Sequence, residues 1–343
     1  MARNDAWLAL TQEATLEPDL PICDPHHHLW DGRTARLTPR YLLYEILQDL
    51  NSGHNVVSTV FIECGSMYRA DGDDAMKFVG EVEFANGIAA MSASGLYGRP
   101  RVAAGIVGTA NLLGGAPAGR VLDALIAAGN GRLKGIRHGG SWDASDDVNN
   151  PRANPTTPPM PGLFAIPAFR EGFAELAPRN LTFEGWCFHP QIPELTDLAR
   201  GFPETTIIFN HFGGPLGIGP YAGKRDEIFP VWQEYVADLA GCPNVVAKLG
   251  GLNQVLNGFG WHERPKPPGS AELAAATRRY FEFALERFGV ERCMFESNFP
   301  PDMVSCSYNV LWNSFKRLAA DYSAAEKAAL FHDTAARVYR LGR

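Results

Sequence analysis

The chain has 343 residues, 45% of them hydrophobic and 20% charged, and a net charge of −7. The length exceeds two average domains yet suits one α/β barrel with insertions, and the acidic balance argues against nucleic-acid and anionic-membrane partners, which select basic patches. No run of about 18 apolar residues reads as a membrane span, and the opening Met1-Ala2-Arg3-Asn4-Asp5 lacks the apolar core of a signal peptide. The six cysteines, Cys23, Cys64, Cys187, Cys242, Cys293 and Cys306, form no CxxC pair; they read as buried free thiols, for which a reducing cytoplasm is the simplest home.

In chain order, strands are expected over 21–26, 57–64, 102–107, 133–138, 181–188, 205–210, 245–249 and 293–297. Each is short, rich in β-branched or aromatic residues, and bounded by Gly, Pro or Asn. Between them, apolar residues at helical spacing place helices over 42–50, 78–91, 118–128, 169–176, 192–199, 231–239 and 271–288, with a closing pair over 311–319 and 324–339. Eight strands, each followed by a helix, are the arithmetic of a (β/α)₈ TIM barrel in one domain. An open doubly wound sheet would want a glycine-rich phosphate turn after its first strand; histidines stand there instead. Two long irregular stretches, 139–161 and 250–269, follow the fourth and seventh strands. Both fall on the C-terminal face, where this fold builds its sites, and their aromatics suit ordered lids.

The densest chemical signal is Asp24-Pro25-His26-His27-His28-Leu29-Trp30. In a strand, residues two apart share a face, so His26 and His28 converge while His27 turns away. Two imidazoles are half of a tetrahedral metal site; the bland alternative is a polar cluster at a strand end. Further polar strand ends occur at Glu63-Cys64, at Arg137-His138, at His189, at His211 and over Glu296–Asp302. His27 and His138 suit structural roles.

Five motifs together resemble the amidohydrolase superfamily, in the lactonase and decarboxylase branch called amidohydrolase family 2. They are Asp24-Pro25-His26-His27-His28-Leu29-Trp30, Lys134-Gly135-Ile136-Arg137-His138, Trp186-Cys187-Phe188-His189-Pro190-Gln191, Asn210-His211-Phe212-Gly213-Gly214-Pro215 and Cys293-Met294-Phe295-Glu296-Ser297-Asn298-Phe299-Pro300. The resemblance runs from the first strand to the eighth. It includes lactonases of sugar and pyrone-dicarboxylate type. It implies His26, His28 and His189 as ligands of a divalent metal, zinc by preference, and His211 as the histidine that touches substrate or water. The family ends strand eight with an aspartate that binds metal and takes a proton from water. This chain has Asn298 there, and an amide is neither a general base near pH 7 nor as strong a ligand as a carboxylate.

Replacement bases lie nearby. Glu296, two residues back, is a base or else a core carboxylate paired with Lys134, Arg137 or Lys248. Asp302 is a base or else the N-cap of a helix over 303–318. Arg137 offers a bidentate match to a substrate carboxylate, or else a barrel ion pair with Glu63 or Glu184. Tyr68, Arg225 and Trp30 are further substrate contacts, with surface or core placement as the alternative; Trp142 and Trp261 are wall candidates. A Cys187–His189 nucleophile lacks its supporting partners. The expectation is therefore a hydrolase that opens a carboxylate-bearing lactone or related cyclic ester, acting on a small molecule. The rivals are nonoxidative decarboxylation of an aromatic or unsaturated acid, and a ligand-binding barrel without turnover. A homo-oligomer is left open.

Overall fold

The computed structural model describes residues 4–33, 38–148 and 160–342. One eight-stranded sheet carries its strands in chain order: β1 Pro21–His27, β2 Asn55–Ile62, β3 Arg101–Gly108, β4 Leu133–Arg137, β5 Thr182–Gly185, β6 Ile207–Phe209, β7 Val245–Leu249 and β8 Cys293–Phe295. Every neighbouring pair is parallel. The two edges meet where His27 bridges Phe299 and the Asn298 amide donates to the His26 carbonyl at 2.9 Å. The result is the expected (β/α)₈ barrel.

The helices between the strands are α1 Leu43–Leu50, α2 Val79–Ala93, α3 Ala118–Gly129, α4 Pro167–Ala174, α5 Ile192–Gly201, α6 Arg225–Ala240, α7 Ser270–Phe288 and α8 Tyr308–Leu318. In α1 the buried apolar residues Leu43, Ile46, Leu47 and Leu50 recur at helical spacing, and Glu45 accepts the Leu42 amide at its start. Helix α6 begins six residues before the expected 231 and runs through Pro230, which forgoes one backbone hydrogen bond inside it. Strand β8 ends at Phe295, two residues before the expected 297, because the chain there leaves β7 to bond with β1. Strand β5 ends at Gly185, since the Trp186 amide turns back to the Glu184 carbonyl.

The barrel interior is layered. At its N-terminal end, Cys23, Val60, Ile62, Val107, Ile208, Val246 and Met294 pack with Ala335, Val338 and Tyr339 of the C-terminal segment, which plugs that mouth. Above lies a buried polar layer. Glu184 accepts from Lys248 Nζ at 3.0 Å, from Asn210 Nδ2 and from the Tyr339 hydroxyl. Buried carboxylates persist only where such donors replace water. Of the two long loops, 250–269 contains two short 3₁₀ turns; residues 149–159 of the other lie outside the described residues. Among the described residues no helix is long and apolar enough to cross a membrane. All six cysteines are free.

Replacing Tyr339 by Phe keeps the plug's shape but strips one donor from buried Glu184. An unsatisfied buried acceptor costs about 1–3 kcal/mol, so chemical denaturation of Tyr339→Phe should show that loss with an unchanged m-value.

Candidate active site

The site is assembled at the C-terminal ends of the strands, around the Glu296 carboxylate. Glu296 Oε1 lies 2.6 Å from His211 Nδ1, and Oε2 lies 2.7 Å from His26 Nδ1 in a less linear contact. At such distances from a carboxylate, each Nδ1 carries the ring proton. In the neutral form each of these rings presents an Nε2 lone pair on the side opposite the carboxylate. His28 reaches the same tautomer by another route, its Nδ1 donating to the Ile62 carbonyl at 2.8 Å. His26 Nε2 and His28 Nε2 stand 3.3 Å apart, and His28 Nε2 is 3.3 Å from Asn298 Oδ1.

The amide of Asn298 is oriented by Asp302. Asn298 Nδ2 donates to Asp302 Oδ1 at 2.7 Å, so Oδ1 faces His28. The other Asp302 oxygen takes the Asn253 amide at 3.1 Å. Three lone pairs, on His26 Nε2, His28 Nε2 and Asn298 Oδ1, thus converge with no proton between the atoms at 3.3 Å. Burial holds His26 and His28 well below the ordinary histidine range, helped at His26 by Lys248 and at His28 by Arg137, so both rings are neutral.

This donor set fits a divalent ion. Metal–nitrogen bonds of about 2.0–2.1 Å place tetrahedral ligands about 3.3 Å from one another. Counting only His, Cys, Asp and Glu side chains among the described residues, His26, His211 and Glu296 are the one group of three whose ligand atoms lie within 4.8 Å of each other. In that group Glu296 is hydrogen-bonded to His211 Nδ1 and lies against His26 Nδ1, so it serves to orient the imidazoles, as carboxylates behind metal-binding histidines do.

The backbone is shaped for these contacts. His211 and Asn298 both adopt left-handed φ values, 51° and 52°, a conformation that non-glycine residues keep only where surroundings impose it. Gly251, with φ of 71°, lies against His211; a Cβ there would fall 2.2 Å from His211 Nδ1. At Gly250 it would fall 2.2 Å from the Glu296 carbonyl. In β1 the register with β2 slips between Asp24 and His27, a bulge of the kind that re-aims side chains beside sites. Asp24 staples β1 to the end of β8 by accepting from Ser297 N and Oγ at 3.0 and 2.6 Å and from the Tyr308 hydroxyl at 3.0 Å.

The remaining expected residues fall as follows. His27 turns away to Thr59 Oγ1 at 2.8 Å, and His138 accepts the Leu112 amide, both structural. His189 accepts the Leu216 amide at Nδ1, 3.3 Å, which leaves its proton on Nε2, and its ring meets Tyr221 edge-on. It is not part of the three-residue cluster, and burial pushes it down to about 4. Arg137 gives Nε to Glu63 Oε1 at 2.6 Å and Nη2 to the Glu63 carbonyl, and points Nη1 at His26 Nε2, 3.4 Å away. The barrel ion pair with Glu63 is therefore present. Glu296 lies against imidazoles, not against Lys134, Arg137 or Lys248, the partners named for its alternative role as a core carboxylate.

Asp302 does not cap a helix. It lies buried in a 3₁₀ turn, Pro301–Val304, and Ser307 caps α8. Trp30 lies nearly parallel to His28 at 6.3 Å. Tyr68 packs edge-on against Phe78, and Arg225 stacks on Phe259 and donates to the Asn257 carbonyl, bracing the loop after β7. Trp261 stacks on Phe259 within that loop. Trp142 instead lines a cleft of about 860 Å³ at the same rim, together with Asp143, Glu194 and Tyr221. Buried Cys187 has its thiol pushed far up by desolvation, unlike an activated nucleophile. Asp24, Ser297, Gly250 and Gly251 were not among the expected site residues.

Known proteins resemble the chain over nearly its whole length. The family model described as Amidohydrolase matches residues 23–341. The uncharacterised protein y4mH of Sinorhizobium fredii is 31% identical over 344 residues, covering 94% of this chain and 99% of that protein. An L-fucono-1,5-lactonase of Burkholderia multivorans is 29% identical over 178 residues, 50% of this chain and 56% of that protein. Crystal structures of an amidohydrolase from Burkholderia multivorans, one with bound HEPES and one with bound zinc, are 24% identical with TM-scores of 0.71 and 0.70, covering 94% of this chain and 99% of theirs. The 5-carboxyvanillate decarboxylase of Sphingomonas paucimobilis shares the fold at 14% identity and a TM-score of 0.51, covering 94% of this chain and 100% of that one.

Burial pushes the Asp302 carboxyl up to about 8, against the opposing hydrogen bonds from Asn298 and Asn253. The folded protein thus holds this proton more tightly than an unfolded chain, whose aspartates titrate near ~4. The associated stability is complete below about pH 4 and is lost as pH rises through about 8. Asp302→Asn should flatten that decline, read as a smaller drop in unfolding free energy between pH 5 and 8 than the parent shows.

Proposed function

Because the chain belongs to the Amidohydrolase family, we propose that it is a hydrolase that opens a lactone or related cyclic ester by attack of water. The observation that carries this reading is the 2.6 Å contact between His211 Nδ1 and Glu296 Oε1. A carboxylate behind an imidazole fixes the ring's tautomer and stabilises the imidazolium that forms when Nε2 takes a proton. This is the equipment for activating water. Nonoxidative decarboxylation has no water to deprotonate and requires instead an acid that protonates carbon.

In this reading His211 Nε2 is the general base, and Glu296 acts through it rather than directly. Asn298, aimed by Asp302, positions the water or the carbonyl without taking a proton. Arg137 contributes its Nη1 edge, which is directed into the donor cluster and can donate to the developing oxyanion or to a substrate carboxylate. His189, whose Nδ1 is taken by the Leu216 amide, has its Nε2–H to offer to a substrate oxygen. The residues that would hold a divalent ion are His26, His28 and Asn298, and the chemistry such an ion supplies is Lewis-acid polarisation of an oxygen. The named lactonase and the zinc-bound structure among the relatives support the class of reaction and of ion.

A panel of sugar lactones, carboxylated lactones and aromatic acids, followed by proton release and by CO₂ release, tests the proposal. Proton release on lactones alone is expected, with kcat for His211→Asn and Glu296→Gln lowered by about 10²–10⁴-fold. CO₂ release without lactone opening would assign the decarboxylase chemistry instead, and tight lactone binding without product would assign a binding barrel.

A further inference from the structure

The donor cluster contains its own cation. Arg137 is buried, as is Glu63, and its Nη1 stands 3.4 Å from His26 Nε2, the lone pair that a ligated ion would need. We propose that Arg137 is a resident competitor of divalent metal at this site, so that its guanidinium, held by Glu63, sets how weakly the histidines bind an ion. The inference rests on the donor-set reading, not on which reaction the enzyme runs.

Three observations support it. First, Arg137 is clamped rather than adaptable. Nε reaches Glu63 Oε1 at 2.6 Å and Nη2 reaches the Glu63 carbonyl. Glu63 is itself fixed, because its amide donates to the Val107 carbonyl at 2.9 Å. The next turn is fixed too, since Glu81 Oε1 accepts the Cys64 and Ser66 amides at 2.9 and 2.8 Å. Second, the converging donors are neutral: two imidazoles and the Asn298 amide. A carboxylate at that position would offset a neighbouring guanidinium, but an amide does not. Third, the Glu296 carboxylate accepts from His211 Nδ1 at Oε1 and sets Oε2 2.7 Å from His26 Nδ1, so its oxygens face the Nδ1 sides of both rings rather than the ion position. A divalent ion entering here meets a positive charge a few ångströms away with little screening, and must displace an N–H donor from His26. Both effects lower affinity without altering the donor geometry, which is discrimination by a built-in repulsive element.

Zinc affinity of the purified, chelator-treated protein, measured by competition with a chromophoric chelator, tests this. Removing both buried charges together, as Arg137→Met with Glu63→Gln, avoids stranding either one, and thermal unfolding of the metal-free variant checks its fold. Zinc affinity of that double variant should rise at least about tenfold. The gain should vanish when His28→Ala is added. Asn298→Asp alone should also tighten zinc binding by restoring a charged ligand. Equal or weaker affinity in the folded double variant would overturn the proposal, as would a gain that survives His28→Ala. A second readout uses the wild-type protein, should the double variant not fold. In a zinc-soaked crystal, Arg137 Nη1 should have left hydrogen-bond reach of His26 Nε2; zinc bound there with that contact intact would overturn the competition. Neither readout depends on turnover, so a lactone panel that fails leaves this inference standing or falling on its own.

Discussion

One buried carboxylate, Glu296, decides which face each of two distant imidazoles shows to the cavity. His26 comes from β1 and His211 from the turn after β6, and both place Nδ1 on its oxygens. Everything chemical follows from where those two protons sit, because the lone pairs then lie on the opposite side of each ring. The barrel serves this arrangement in specific ways. Closure of β8 onto β1 brings Glu296 beside His26, the Asp24–Ser297 staple holds that seam, and two glycines at the end of β7 leave the space that His211 and Glu296 fill.

Around this centre the interior balances its charges locally. Glu63 takes Arg137, and Glu184 takes Lys248, Asn210 and Tyr339. Buried pairs of this kind add little net stability against hydrophobic replacements, yet losing one partner strands a charge in a low-dielectric interior. Their role here is placement. The Glu63 clamp fixes which guanidinium nitrogen faces His26, and the Glu184 network fixes Lys248 beneath the histidines, where its charge helps keep His26 neutral. Asp302 acts in the same manner on Asn298, by choosing which end of the amide points at His28.

Much of this was legible in the sequence. The eight strands announce themselves as short β-branched runs ended by Gly, Pro or Asn, and the two-residue spacing of His26 and His28 correctly brings both to one face. Alternation reports a face, however, and not a partner. It placed Glu296 on the inward side of its strand, but the lysines and arginine suggested for it belong elsewhere, because pairing across a barrel depends on stagger that no local pattern encodes. Asp302 resembles a cap because a helix follows, yet α8 starts at Tyr308 and the intervening turn folds the carboxyl inward. The expectation for Arg137 named Glu63 as an alternative partner, and that pairing is present. The needs of Gly250 and Gly251 were invisible, since a glycine's necessity comes from what lies against it, here His211 and Glu296.

The tautomers of the histidines are the most direct measure of the arrangement. Long-range proton–nitrogen correlation spectra of metal-free, ¹⁵N-labelled protein near neutral pH, assigned with single histidine variants, report which ring nitrogen carries the proton. Protonated Nδ1 with bare Nε2 at His26, His28 and His211 is the predicted pattern, with His26 and His211 alone disturbed in Glu296→Gln. Protons on Nε2 at His26 and His211 would contradict it, because the carboxylate would then face lone pairs and the cavity would face N–H groups.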